Sequence, residues 1–151
     1  MRRALLALLG IGVLASGCGP APPPYRAIAD MNTLCTEIMD PAAGRLWGAV
    51  GWVESDLGTE EIVPRTDEEW LAVHSAAITL AESGNLMMMP PRARDQEWMR
   101  LSAAFVDMSG SIVAAVDARN TDDIFTLGGD LYELCTNCHS KYNTGIIQAS
   151  Q

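Results

Sequence analysis

The sequence predicts an all-α protein, an antiparallel up-down-up-down four-helix bundle. Three observations carry that expectation. Helix-start and helix-stop signals recur along the chain, apolar residues fall at helical spacing between them, and the connections are modest in length. No strongly alternating strand pattern and no Asn-Gly hairpin turn stands out.

The elements follow in order. Residues 1–17 read as a lipoprotein signal peptide: Arg2 and Arg3 give a cationic start, and Ala4 to Ala15 form an apolar run. A membrane-spanning helix needs about 20 apolar residues, so this run is a signal core and not a span. "LASGC" resembles a bacterial lipobox, which makes Cys18 the lipidated first residue of the mature protein. Residues 18–25 are then the lipidated cysteine and a tether, whose "GPAPPP" favours extended polyproline II. The remaining domain, 26–151, has the length for one core.

Its first segment, about Arg26 to Val53, is apolar at helical spacing and interrupted by "DP". Asp40 as an N-cap and Pro41 at the first helical position predict a break or kink there. "GTEEIVPR" is expected to be a loop. "TDEEW" opens the second helix, with Thr66 and Glu69 spaced as a capping box, and the helix runs to about Leu86. "MPPRARD" turns the chain. The third helix continues to about Arg119 and places Trp98, Leu101, Phe105, Met108 and Ile112 on one stripe. "NTDD" starts the fourth, which ends near Tyr142. Gly128 and Gly129 inside it predict a kink, or the close approach of another backbone or a flat ligand.

Charge excludes one class of partner. The formal net charge is −9, and removing a leader that holds two of the ten Lys and Arg makes the mature chain −11. Such a surface repels nucleic acid and anionic membranes, and permits docking to a basic protein. No nucleophile–base pair or paired-carboxylate constellation is visible, so the sequence does not read as an enzyme.

The four cysteines divide by role. Cys18 belongs to the leader, Cys135 and Cys138 form a C-x-x-C, and Cys35 has no partner. A disulfide-stapled exported domain is therefore not expected. The stretch "CTNCHSKY", residues 135–142, admits a redox dithiol, a metal site or a haem anchor. Thioredoxin-like pairs sit at a helix N-terminus after a strand, where the dipole lowers the thiol pKa. This pair falls near a helix C-terminus. Structural zinc wants four ligands, and only Cys35 and His74 remain, far apart in sequence.

C-x-x-C-H in an exported chain is the attachment signature of haem c, one group held covalently through Cys135 and Cys138. His139 is then the proximal iron ligand. On a helix the two cysteines share a face and His139 lies one turn from Cys135.

The motif close to the C-terminus, Tyr142 three residues after the histidine, and four helices upstream resemble the class II c-type cytochromes, the cytochrome c′ and c556 group. The family commonly has a basic residue after the aromatic; here Asn143 follows. The resemblance implies single-electron transfer with redox partner proteins, or, in five-coordinate members, binding of NO or CO. It also implies a homodimer, since members often pair through helix faces. With the lipidated Cys18, the protein is expected on the periplasmic side of the inner or outer bacterial membrane, held by its lipid. A haem-free dithiol or metal-binding module is the remaining alternative.

The distal ligand separates the first two readings. An up-down topology puts Met31, Cys35, the "LMMMPPRAR" connection and Trp98 or Met99 at the haem end, with His74 at the other end. Low-spin members of the family take a methionine of the first helix as distal ligand. The local match is Leu34-Cys35, and a shift of one turn offers Met31. Met31, Cys35 and Met39 also fit simple core packing, as do Met87 to Met89. Arg92 and Arg94 are candidates to pair with haem propionates, or are solvated charges at a helix start.

Overall fold

The computed structural model describes residues 25–142. The leader, Cys18 and the prolines up to Pro24 lie outside them. The described chain is mostly helical: four helices pack around one core, and a two-stranded hairpin is attached.

Helix α1 spans 31–47. The Asp30 carboxylate caps it, accepting from the Thr33 N–H at 2.8 Å. A break at Asp40–Pro41 does not occur. Leu34–Met39 instead forms a π turn, in which the Asp40 N–H donates to the Cys35 carbonyl five residues back. In an α-helix the Pro41 ring would press on the carbonyl four residues before it. The wider turn ahead of the proline relieves that contact, and the helix continues through Asp40–Trp47. Asp40 is accordingly an internal residue and not an N-cap.

The second departure follows at once. Residues 51–53, expected in the first helix, and 58–62, expected as loop, pair as antiparallel strands. β1 is Gly51–Ser55 and β2 is Gly58–Ile62, with Gly51 opposite Ile62 and Ser55 opposite Gly58. Gly58 has φ +121°, which ordinary side chains rarely adopt, and it closes the two-residue turn at Asp56 and Leu57.

Helix α2 is Asp67–Met87 and opens with the expected capping box. The Glu69 N–H donates to the Thr66 hydroxyl, while the Glu69 carboxylate accepts from the Thr66 N–H at 2.9 Å. Helix α3 is Gln96–Asp117, capped by Asp95. By length and composition it could cross a membrane, but its stripe of Trp98, Leu101, Phe105 and Ile112 is buried in the core, with Met108 packed at the edge. A left-handed Arg119 (φ 50°) ends it, and helix α4, Thr121–Tyr142, begins directly.

Each helix packs on the next in chain order. Trp47 also ties α1 to α4, its indole N–H donating to the Gly128 carbonyl at 2.9 Å. Leu34, Leu46, Leu80, Ile112, Ile124 and Leu131 are the largest fully buried apolar side chains. Each contributes about 1.5–3 kcal/mol relative to exposure.

The close crossing of α2 and α3 at Gly84 is testable. A Cβ on Gly84 of α2 would lie 2.6 Å from Val106 Cγ2 and 3.1 Å from Phe105 Cδ1. Gly84→Ala is expected to destabilise by about 1–3 kcal/mol through overpacking, exceeding the roughly 1 kcal/mol that alanine adds in a helix. Gly110→Ala on α3 meets nothing within 4 Å and should stabilise. Urea unfolding of both variants gives the two signs; the same sign for both would refute the crossing.

Candidate functional site

Cys135, Cys138 and His139 occupy the last two turns of α4, each half-buried. They line one apolar cavity of about 140 Å³. Met31 and Cys35 of α1 face it, as do Met87 at the end of α2, Arg94 in the α2–α3 connection and Trp98 of α3. A second cavity of about 310 Å³ shares Cys35, Met39, Phe105, Cys135 and His139, and reaches Trp47 and Tyr132. Cys135 and His139 thus stand between two apolar spaces.

Local sequence explains how α4 presents these residues. The helix runs unbroken through Gly128 and Gly129. A Cβ on Gly128 would sit 3.3 Å from Trp47 Cδ1, so the glycine admits the indole against the helix backbone. The close approach there is made by a flat side chain of the same chain, in place of another backbone or a flat ligand.

The α2–α3 connection forms the adjoining wall. Trp98 is buried, and its indole N–H donates to the Met87 carbonyl at 2.9 Å. Tyr142 packs edge-on against Trp98 with centroids 5.0 Å apart. Its hydroxyl donates to Asp95 Oδ1 at 2.6 Å, the same oxygen that accepts from the Trp98 N–H and caps α3. These two bonds hold the Asp95 carboxyl below its usual range. Loss of water contact and the bond to Asp95 push the Tyr142 phenol up to about 12. The end of the motif-bearing helix is therefore latched to the start of α3.

The two arginines have different situations. Arg92 is buried and committed, donating to the Leu86 carbonyl at 2.6 Å and the Ala29 carbonyl at 2.8 Å. Arg94 lies over Trp98, 4.8 Å from the ring centroid, and lines the cavity as an exposed cation.

Burial pushes the Cys35 thiol up to about 11, helped by the charges of Asp40 and Cys138. It pushes Cys135 up to about 12, with Cys138 and Cys35 adding to the effect. Cys138 is raised mainly by burial. At neutral pH these are protonated thiols, the reverse of a nucleophilic C-x-x-C. Among the described residues, no group of three or more His, Cys, Asp or Glu is arranged to hold a metal ion.

The remaining sequence candidates separate cleanly. Trp98 lines the cavity and Met99 does not; Met87 lines it and Met88 and Met89 do not. Met39 is buried and faces both cavities. His74 sits 3.3 Å from Asp117 and borders neither space. Sequence reasoning missed the Asp95–Tyr142 bond and the walls made by Phe105 and Leu134. Asp95 was findable as an N-cap three residues before Trp98. Its partner, 47 residues away, had no local signal. Compared with protein-family models, curated proteins and solved structures, the chain matches none.

Proposed function

We infer that the protein is a monohaem c-type cytochrome of the class II kind, carrying single electrons on the periplasmic side of a bacterial membrane. The observation that carries this reading is the cavity onto which C-x-x-C-H and three sulfur side chains of α1, Met31, Cys35 and Met39, converge. In this reading the four helices alternate up and down, and the haem lies against the end of α4. Packing of consecutive helices in chain order supports that arrangement. The lipid on Cys18 and the Pro-rich stretch would tether the domain to the membrane.

The donor set fits haem c. Cys135 and Cys138 are one turn apart on the same helix and line the same apolar cavity. As thioethers they need no low pKa once attached, so their raised values suit the haem reading better than a dithiol. His139 offers an imidazole nitrogen one turn from Cys135. A bound haem would supply the one-electron iron couple.

The chain's own residues do the rest. Apolar Phe105, Leu101 and Leu134 keep water from the site, which favours the less charged iron state. Arg94 at the edge offers a cation to the propionate carboxylates. The latch between Asp95 and Tyr142 fixes the helix that carries His139, so the imidazole cannot drift with a fraying terminus.

One spectrum tests this. The mature protein is expected to show a Soret band, with sharp low-spin bands on reduction that carbon monoxide leaves unchanged. No Soret band would end the haem reading. A high-spin reduced spectrum shifted by CO would replace the electron carrier with a protein that binds NO or CO.

A further inference from the structure

Apart from the cysteine-lined cavity, the most unusual surface is aromatic. Trp52 of β1 packs edge-on against Phe125 of α4 at 5.1 Å, and Trp47 packs edge-on against Tyr132 at 5.7 Å. Between them lies an apolar cleft of about 310 Å³, floored by Leu46, Val50, Ile124 and Gly128. Trp52, Phe125 and Tyr132 are 54%, 50% and 60% exposed. Rings that exposed do not close over a small ligand. They form a face with a shallow centre, and isolated apolar side chains are common on proteins whereas four clustered aromatics are not.

On its hairpin and α4 sides the rim has one sign of charge. Glu61 stands directly opposite Trp52 in the hairpin, and Glu54 follows two residues on, on the same face of the ribbon. Asp122 lies one turn before Phe125, and Glu133 one turn after Gly129. All four are exposed. Neither the hairpin, 51–62, nor α4 as far as Ser140 contains a lysine or arginine.

We propose that this aromatic face, between the hairpin and α4, docks a basic, redox-active protein. The proposal rests on the electron-carrier reading for its second adjective only. An apolar centre inside a charged rim is the ordinary anatomy of a protein–protein interface, and carboxylates around it select a partner with Lys and Arg around its own apolar centre. A second copy of this chain fits poorly, because a two-fold contact would set carboxylates against carboxylates. The face also touches the right part of the molecule. Trp47 and Tyr132 line the cavity that holds Cys135 and His139, so a partner seated on them stands next to the motif-bearing turns. The hairpin now has a role: it carries Trp52 and two carboxylates out beside α4 while contributing little to the core.

The test titrates the ¹⁵N-labelled mature protein with a small basic c-type cytochrome, reduced, at low ionic strength. The indole N–H signals of Trp47 and Trp52 are expected to move, those of Trp70 and Trp98 to stay, and the shifts to vanish at about 0.3 M salt. Trp52→Ala combined with Phe125→Ala should weaken binding about tenfold at unchanged salt dependence. Glu61→Lys combined with Asp122→Lys should weaken it comparably and flatten the salt dependence. Absence of shifts, or equal shifts with an acidic cytochrome of similar size, overturns the proposal. So do shifts of Trp52 that appear with the protein's own concentration, which would assign the face to a second copy. The change of the indole signals on titration can be followed with or without bound haem, so a missing Soret band in the same sample would overturn the electron-carrier reading separately.

Discussion

Substituting both Cys135 and Cys138 by serine is expected to remove all covalently held haem, read as loss of the haem stain on a denaturing gel. Each single serine variant should keep one attachment and a weakened stain. His139→Ala should behave differently: the haem stays attached, but the spectrum changes because the nitrogen one turn beyond Cys135 is gone. The contrast follows from the geometry, in which two thiols and one imidazole on the same helix reach the same cavity by different atoms. A second readout comes from stability. A group bound by the folded chain and not by the unfolded one stabilises the fold, so its loss lowers stability. Domains are stable by only about 5–15 kcal/mol, so the haem-free double variant should unfold at clearly lower urea. A stain that survives loss of both cysteines would remove the assignment altogether.

The second large effect concerns the opposite wall. Met31→Ala is expected to convert a low-spin spectrum to a high-spin one that responds to CO, whereas Cys35→Ala should leave it nearly unchanged. Both residues face the cavity, so position alone does not choose between them. Chemistry does. A thioether offers its sulfur lone pair at any pH, while Cys35 must first surrender a proton from a thiol pushed up to about 11 by burial, Asp40 and Cys138. Methionine is also longer and more adaptable than cysteine. The reverse pattern, with Cys35→Ala producing the CO-sensitive form, would assign the distal atom to the thiol. If neither substitution changes the spectrum, the distal side is open and the gas-binding function replaces electron transfer.

What could be read from the sequence, and what could not, divides on how local the cause is. The Thr66–Glu69 box, the Trp98-to-Ile112 stripe and the start of α4 are set by residues within a turn or two of each other, and the structure has all three. The convergence of Met31, Cys35, Arg94 and Trp98 with the motif was reachable from the expected topology, in which these segments share one end of the domain. The hairpin was not. Its strands lack the apolar-in, polar-out alternation that marks a sheet, since nearly every residue in it is exposed and neither face is packed into the core. Its turn depends on the positive φ of Gly58 and not on an Asn-Gly pair. Pro41 signalled an irregularity but not its form, a π turn in a continuing helix instead of a break. A proline argues for a helix break only if the turn before it is α-helical, and nothing in "LCTEIM" announces a π turn. Gly128 pointed to a kink, another backbone or a flat ligand, and the close neighbour is instead the side chain of Trp47, 81 residues away.

That π turn has an effect on helix phase. One surplus residue in a helix acts as a rotary offset of about 100°, so Met31 and its neighbours are turned relative to Ala43, Leu46 and Trp47 beyond what a straight α-helix would give. The downstream half is clamped by the Trp47 indole on Gly128, which leaves the offset to decide which upstream side chain points at the cavity. That the Met31–Cys35 side of α1 faces the far wall at all is therefore written in residue count as much as in residue identity. Two chains with the same methionines and cysteines, differing by one residue between Leu34 and Met39, would present different atoms to the same space.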